Sequence, residues 1–88
     1  MAQVKLFGHL RDYASAPQIT VDGNTVSDVL ANLCSENAAL EQAVFDAGNL
    51  RAHVRVMVNG RAIEMAQGLD TPLTPADSLA IFPPIVGG

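Results

Sequence analysis

Val4 and Leu6 alternate with Lys5 and Phe7, and Gly8 and His9 continue the pattern, the period-2 signature of a half-buried strand. A second short strand is predicted at residues 18–21, stopped by the turn formers Asp22-Gly23-Asn24. The two read as an opening hairpin. The period then changes: Val26, Val29, Leu30 and Leu33 recur at helical spacing, whereas Asp28, Asn32 and Glu36 fall elsewhere. This predicts a helix over about residues 26–36, with Thr25 and Asp28 resembling a capping box at its positive end. Leu40, Val44 and Phe45 predict a second, shorter helical piece, ended by Gly48-Asn49. Val54, Val56 and Val58 restore the strand period, and Asn59-Gly60 is the signal for a type I′ hairpin turn. Residues 61–64 form the expected return strand. Thr74-Pro75-Ala76-Asp77 suits a type I turn before a last strand at residues 78–82. The order β-β-α-(α)-β-β-β defines an α+β domain with one main helix packed on one face of a sheet.

Composition narrows the functions open to such a domain. At 88 residues the chain has room for one compact unit, and 49% hydrophobic residues suffice for a core. Five Lys+Arg against nine Asp+Glu give a net charge of −4, which argues against nucleic acid and against a polybasic membrane anchor. The segment Met1 to Phe7 is too short for a signal peptide, and the longest apolar run, Leu79 to Val86, is interrupted by Pro83 and Pro84. A cytoplasmic location is expected. Cys34 is a single cysteine, so neither an intrachain disulfide nor a multi-cysteine metal site is available.

The segment Phe82-Pro83-Pro84-Ile85-Val86-Gly87-Gly88 carries the chemistry. The two prolines remove N–H donors and favour an extended, non-pairing backbone, which divides the chain into a domain at 1–82 and a tail at 83–88. Six residues from Pro83 reach up to about 20 Å. Gly87 and Gly88 have no side chains, so such a tail can thread a narrow channel and deliver the carboxylate of Gly88 into another protein's active site.

These features together resemble the MoaD/ThiS family of ubiquitin-like sulfur carriers. The resemblance is carried by Val4-Lys5-Leu6-Phe7, Val58-Asn59-Gly60, residues 73–77, and Leu79-Ala80-Ile81-Phe82-Pro83-Pro84 with the diglycine. It implies a β-grasp fold, a mixed sheet of about five strands with one main helix. The Phe-Pro-Pro form is most similar to the MoaD type, the small subunit of molybdopterin synthase. The stretches 35–50 and 65–71 are longer than in compact members, and a similar Gly-Leu-Asp-Thr loop occurs in carriers serving other sulfur pathways. The resemblance further implies an E1-like adenylating enzyme that uses ATP to activate Gly88. A desulfurase or rhodanese-like sulfur donor would then convert Gly88 to a thiocarboxylate. The large subunit of molybdopterin synthase, or another sulfur-accepting enzyme, would take the sulfur. Alternatives are the same chemistry feeding cysteine or thiamine synthesis, a ubiquitin-like modifier conjugated through Gly88, and a β-grasp binding module.

The remaining candidates weigh less. Cys34 lies four residues after Leu30, beside the apolar stripe, where a cysteine behaves as a small inert hydrophobe. His9 and His53 have no zinc-ligand spacing, and the dispersed glycines form no phosphate loop, so no cofactor is expected on the chain itself. If Val4, Leu6, Val54, Val56, Val58, Leu79 and Ile81 face the helix, Phe7, Met57 and Phe82 point the other way. In the β-grasp arrangement they would form one exposed apolar patch, a docking surface for the activating and accepting enzymes, continued by Pro83, Pro84, Ile85, Val86 and Gly87. The negative net charge would favour a basic groove on the partner.

Overall fold

The computed structural model describes residues 2–13, 18–35, 37–52 and 54–83. Its main sheet holds five strands: β1 (Ala2–Leu6), β2 (Gln18–Val21), β5 (Arg55–Val58), β6 (Arg61–Ala62) and β7 (Ser78–Phe82). A separate small hairpin holds β3 (Phe45–Asp46) and β4 (Asn49–Leu50). The helices are α1 (Val26–Ser35) and α2 (Ala38–Val44). The main sheet runs β2-β1-β7-β5-β6; β1 and β7 are parallel and the other pairs antiparallel. This mixed sheet grasping a helix is the expected β-grasp arrangement.

Alternation decides which face is buried. Val4 stands beside Leu79, Leu6 beside Ile81, and Ile81 beside Val56, so one apolar row crosses three strands. Val26, Val29, Leu30, Leu33 and Cys34 close over that row from α1. At the start of α1, Thr25 Oγ1 accepts from the Asp28 N–H at 3.1 Å, while Asp28 reaches back to the Asn24 N–H at 3.3 Å. The cap is a capping box shifted by one residue. The Asn59-Gly60 turn has φ of +52° and +82°, as a type I′ turn requires.

Four local readings need correction. β1 stops at Leu6, because Gly8 takes φ of +59° and opens a 3-10 turn, Gly8–Tyr13, that drops Leu10 into the core. The second helix ends at Val44, not at Gly48-Asn49: Phe45 is extended, its N–H bonded to the Glu41 carbonyl, and the chain enters the β3–β4 hairpin. Strands of two residues have no period to detect. β5 begins at Arg55, leaving Val54 outside it. The return strand is Arg61–Ala62 only, after which a 3-10 turn, Ile63–Met65, buries Ile63.

The two longer stretches have structural roles. Residues 37–50 supply Leu40 and Val44 to the core. In the 65–71 loop, Thr71 accepts from the Gln67 N–H and donates to the Gly68 carbonyl, and its own carbonyl receives the Val26 N–H at 3.0 Å. That loop therefore fastens the first turn of α1.

Candidate functional site

The sheet face away from the helices is the surface the sequence pointed to. Across it, one row runs Gln18, Lys5, Ala80, Met57 and Ala62 through the strand registers. The next row places Phe82 opposite Arg55. Phe7 lies just beyond β1, its N–H bonded to the Ile81 carbonyl at 3.0 Å. Its ring stacks on Phe82, with centroids 4.4 Å apart and planes 12° from parallel.

The three predicted residues share this face but do not form one evenly exposed patch. Phe7 is 37% exposed, whereas Met57 and Phe82 are half-buried. Met57 stands opposite Ala80, one same-face position along the sheet from Phe82. The apolar centre is therefore a stacked ring pair with Met57 diagonal to it. Offset aromatic pairs gain about 0.5–1.5 kcal/mol beyond their burial, so the stack also orders the end of β7.

The charge of this face differs in sign from the net charge of the chain. Lys5 and Arg55 flank the rings, and a cleft of about 290 Å³ is lined by Lys5, Leu6, Phe7, Arg11 and Gln18. Asp28 and Glu41 lie on the helices, and Asp22, Asp46 and Asp70 in the hairpin and loops that join the elements. Glu64 approaches Arg55 at 4.0 Å, but both side chains are about two-thirds exposed, and such a pair contributes little. The chain is acidic overall, yet its strands present Lys5 and Arg55 on this face, with Asp12 next to Arg11 in the adjoining turn. The alternation that sends Phe7 and Met57 outward also sends Lys5 and Arg55 outward, so the signal was present in the sequence.

At the other end of β7 the backbone is tied down. Asn59 donates to Asp77 Oδ1 at 2.9 Å and accepts from the Ser78 N–H at 3.0 Å. The Thr74 N–H bonds to Asp77 Oδ2 at 2.8 Å, and these bonds hold the Asp77 carboxyl below its ordinary pKa, the Thr74 contact contributing most. The hairpin turn and the turn before β7 thus share one polar clasp.

Cys34 is buried, and burial, reinforced by the negative charge of Glu41, pushes its thiol up to about 11. At neutral pH about one molecule in 10⁴ carries the thiolate, too few for a reactive sulfur. His9 is exposed in the turn after β1, and His53 lies outside the described residues. Among the described residues no three His, Cys, Asp or Glu side chains come together as metal ligands, and no helix is long and apolar enough to cross a membrane. Two larger clefts, about 680 and 580 Å³, are lined mainly by α1, α2, β2 and the β3–β4 hairpin rather than by the ring face. Pro83 is half-buried at the end of β7, while Pro84, Ile85, Val86, Gly87 and Gly88 lie outside the described residues.

A five-stranded mixed sheet holding a helix, with Phe82 and Pro83 at the end of its central strand, defines the ubiquitin-like β-grasp class. The ThiS family model matches residues 4–88, and the chain belongs to that family of ubiquitin-like sulfur carriers. Small archaeal modifier protein 1 of Haloferax volcanii is 39% identical over 88 residues, covering 96% of this chain and 97% of that protein. Small archaeal modifier protein 3 of the same organism is 37% identical over 67 residues, 76% of this chain and 73% of that protein. The solution structure of small archaeal modifier protein 1 from Methanosarcina acetivorans superposes with a TM-score of 0.90 at 34% identity, covering 99% of this chain and 95% of that one.

Proposed function

We propose that this chain carries sulfur as a thiocarboxylate on Gly88. The observation that carries the reading is the family match, which runs through residue 88 and so includes Gly87-Gly88. A carboxylate resists nucleophiles, because its charge repels them and oxide is a poor leaving group. An E1-like partner holding ATP removes that barrier: a Gly88 oxygen attacks the α-phosphorus and expels pyrophosphate, giving an acyl adenylate. The terminal sulfur of a donor's persulfide displaces AMP and forms an acyl disulfide. A second thiol of the donor then attacks that disulfide, becomes disulfide-bonded itself, and releases the thiocarboxylate. The chain contributes the reacting carbon and its delivery. The Phe7–Phe82 stack with Met57, flanked by Lys5, Arg11 and Arg55, is the docking face in this reading, and its charge favours an acidic rim on the partner.

The Phe82-Pro83-Pro84 segment supports a cyclic pterin precursor, held by the large subunit of molybdopterin synthase, as the sulfur acceptor. A second reading is protein modification through an isopeptide bond from Gly88 to a target lysine. The likeness to two proteins named as modifiers favours it. Lys5 is the one lysine of the chain, so extended self-conjugates are disfavoured.

Incubation with the adenylating enzyme, ATP and a sulfur donor, followed by intact-mass analysis, tests the reading. One oxygen should be replaced by sulfur, and Cys34→Ala should load normally. Deleting Gly88 or adding a residue after it should abolish loading with the fold retained; undiminished loading of a blocked terminus would overturn the proposal. Supplying the loaded chain to the large subunit with the pterin precursor tests the acceptor. Recovery of diglycine remnants on lysines of other proteins in native cells would select modification instead.

A further inference from the structure

The chain leaves β7 at Phe82, and the next residue is packed against a glycine. Gly8 sits at φ of +59°, and a Cβ built on it would lie 2.7 Å from Pro83 Cγ and 3.2 Å from Pro83 Cδ. The first distance is shorter than a side chain tolerates. Neither partner has an easy way to yield. On the Gly8 side, the Phe7 N–H is bonded to the Ile81 carbonyl, the Leu10 N–H closes on the Phe7 carbonyl at 3.2 Å, and Leu10 is fully buried behind the turn. On the other side, the pyrrolidine ring fixes its own φ and cannot swing aside like a flexible side chain. The ring of Phe82 is in turn held by its stack on Phe7. A change of ring pucker can move Cγ, but Cδ stays close, so the backbone at Pro83 shares in the relief.

We infer that Gly8 is a positioning residue for the tail: its missing side chain makes the seat on which Pro83 lies, and that seat aims residues 84–88. The consequence for Gly88 rests on the proposed sulfur-carrier reading. Five residues separate Pro83 from the carboxylate, with a reach of up to about 3.3–3.6 Å each, so a change of direction at Pro83 alters the space the carboxylate can reach. Displacements of about 1 Å at a reacting group can cost about a hundredfold in rate. Gly8 therefore acts on the turnover step, while docking on the ring face continues.

Two variants place a Cβ at this position. Gly8→Ala adds backbone strain as well, whereas Gly8→Asn introduces the same Cβ in a residue that enters the left-handed region more readily. Both are compared in a chain carrying Cys34→Ser and a nitroxide on Val86→Cys, with amide broadening mapped by NMR. In the folded Gly8→Asn chain the broadened amides should shift to a different set; an unchanged pattern would overturn the inference. With the adenylating enzyme, kcat for adenylate formation should fall about tenfold or more, with KM for the carrier little altered. A moved tail with unaltered kcat would also overturn it. Pro83→Ala opens the clash, so Gly8→Ala should cost less in that background than alone; strictly additive effects would assign the loss to backbone strain and not to the seat. If the wild-type chain is not adenylated at all, the sulfur-carrier reading fails, and the broadening pattern still decides whether Gly8 aims the tail.

Discussion

The two faces of β7 both carry apolar residues and have opposite fates. Leu79 and Ile81 point toward the helices and are fully buried, whereas Ser78, Ala80 and Phe82 point away and stay half-exposed. The helices cover one side of the sheet, so apolar character on that side is spent on folding. On the other side it is left available, and Phe7 is stacked and oriented yet still 37% exposed. The lesson is that exposure next to order, and not apolar character alone, marks the surface fit for contact. The cations repeat it: Lys5 and Arg55 rim the open face of an otherwise acidic chain.

The sharpest way to break this comparison is to cut into the buried side. Ile81→Ala should lose about 2–5 kcal/mol by removing buried methyl and methylene groups and leaving a cavity. Against a total of about 4–13 kcal/mol for a chain of this size, that is a large fraction. Urea denaturation checks it, and a loss no greater than that of Phe82→Ala would mean the two faces are not energetically distinct.

Cys34, on the same buried side, offers a pH test. Its thiol is raised from the ordinary value near 9 to about 11, so the folded chain holds this proton more tightly than the unfolded chain. Stability should therefore be complete below about pH 9 and fall as pH rises toward about 11, by up to about 2–3 kcal/mol. Unfolding measured at about pH 8 and about pH 11 should show this loss in wild type and not in Cys34→Ala. Equal alkaline losses in the two would place the thiol in water.

The smallest effect belongs to the open face. Phe82→Ala should weaken binding to the adenylating enzyme by about 1–3 kcal/mol, seen chiefly as faster dissociation, while circular dichroism shows the fold retained. Raised salt should slow association through Lys5 and Arg55. A folded Phe7→Ala/Phe82→Ala chain with unchanged affinity would remove the face from the docking reading.

The elements that the sequence made legible are those whose own period or turn chemistry suffices. Val26, Val29, Leu30 and Leu33 specify α1 because a helix repeats its face every three to four residues. Asn59-Gly60 specifies its hairpin because few residue pairs accept two positive φ values. The illegible elements are short ones held by neighbours. Phe45–Asp46 and Asn49–Leu50 pair over two residues each, and Leu10 and Ile63 enter the core from 3-10 turns with no repeating pattern.

The site divides along the same line. By itself the sequence determined that Phe7, Met57 and Phe82 lie opposite the helix face, because alternation is a property of each strand alone. It also determined that the last strand stops before Pro83, because proline withholds the N–H a strand needs. Only the tertiary structure decided that Phe7 meets Phe82, that Met57 faces Ala80, and that Pro83 rests on Gly8. The Phe7 and Pro83 contacts depend on β1 and β7 lying side by side and parallel, and the Met57 pairing on β5 running antiparallel to β7, registers set by burial of one shared apolar row across residues separated by most of the chain.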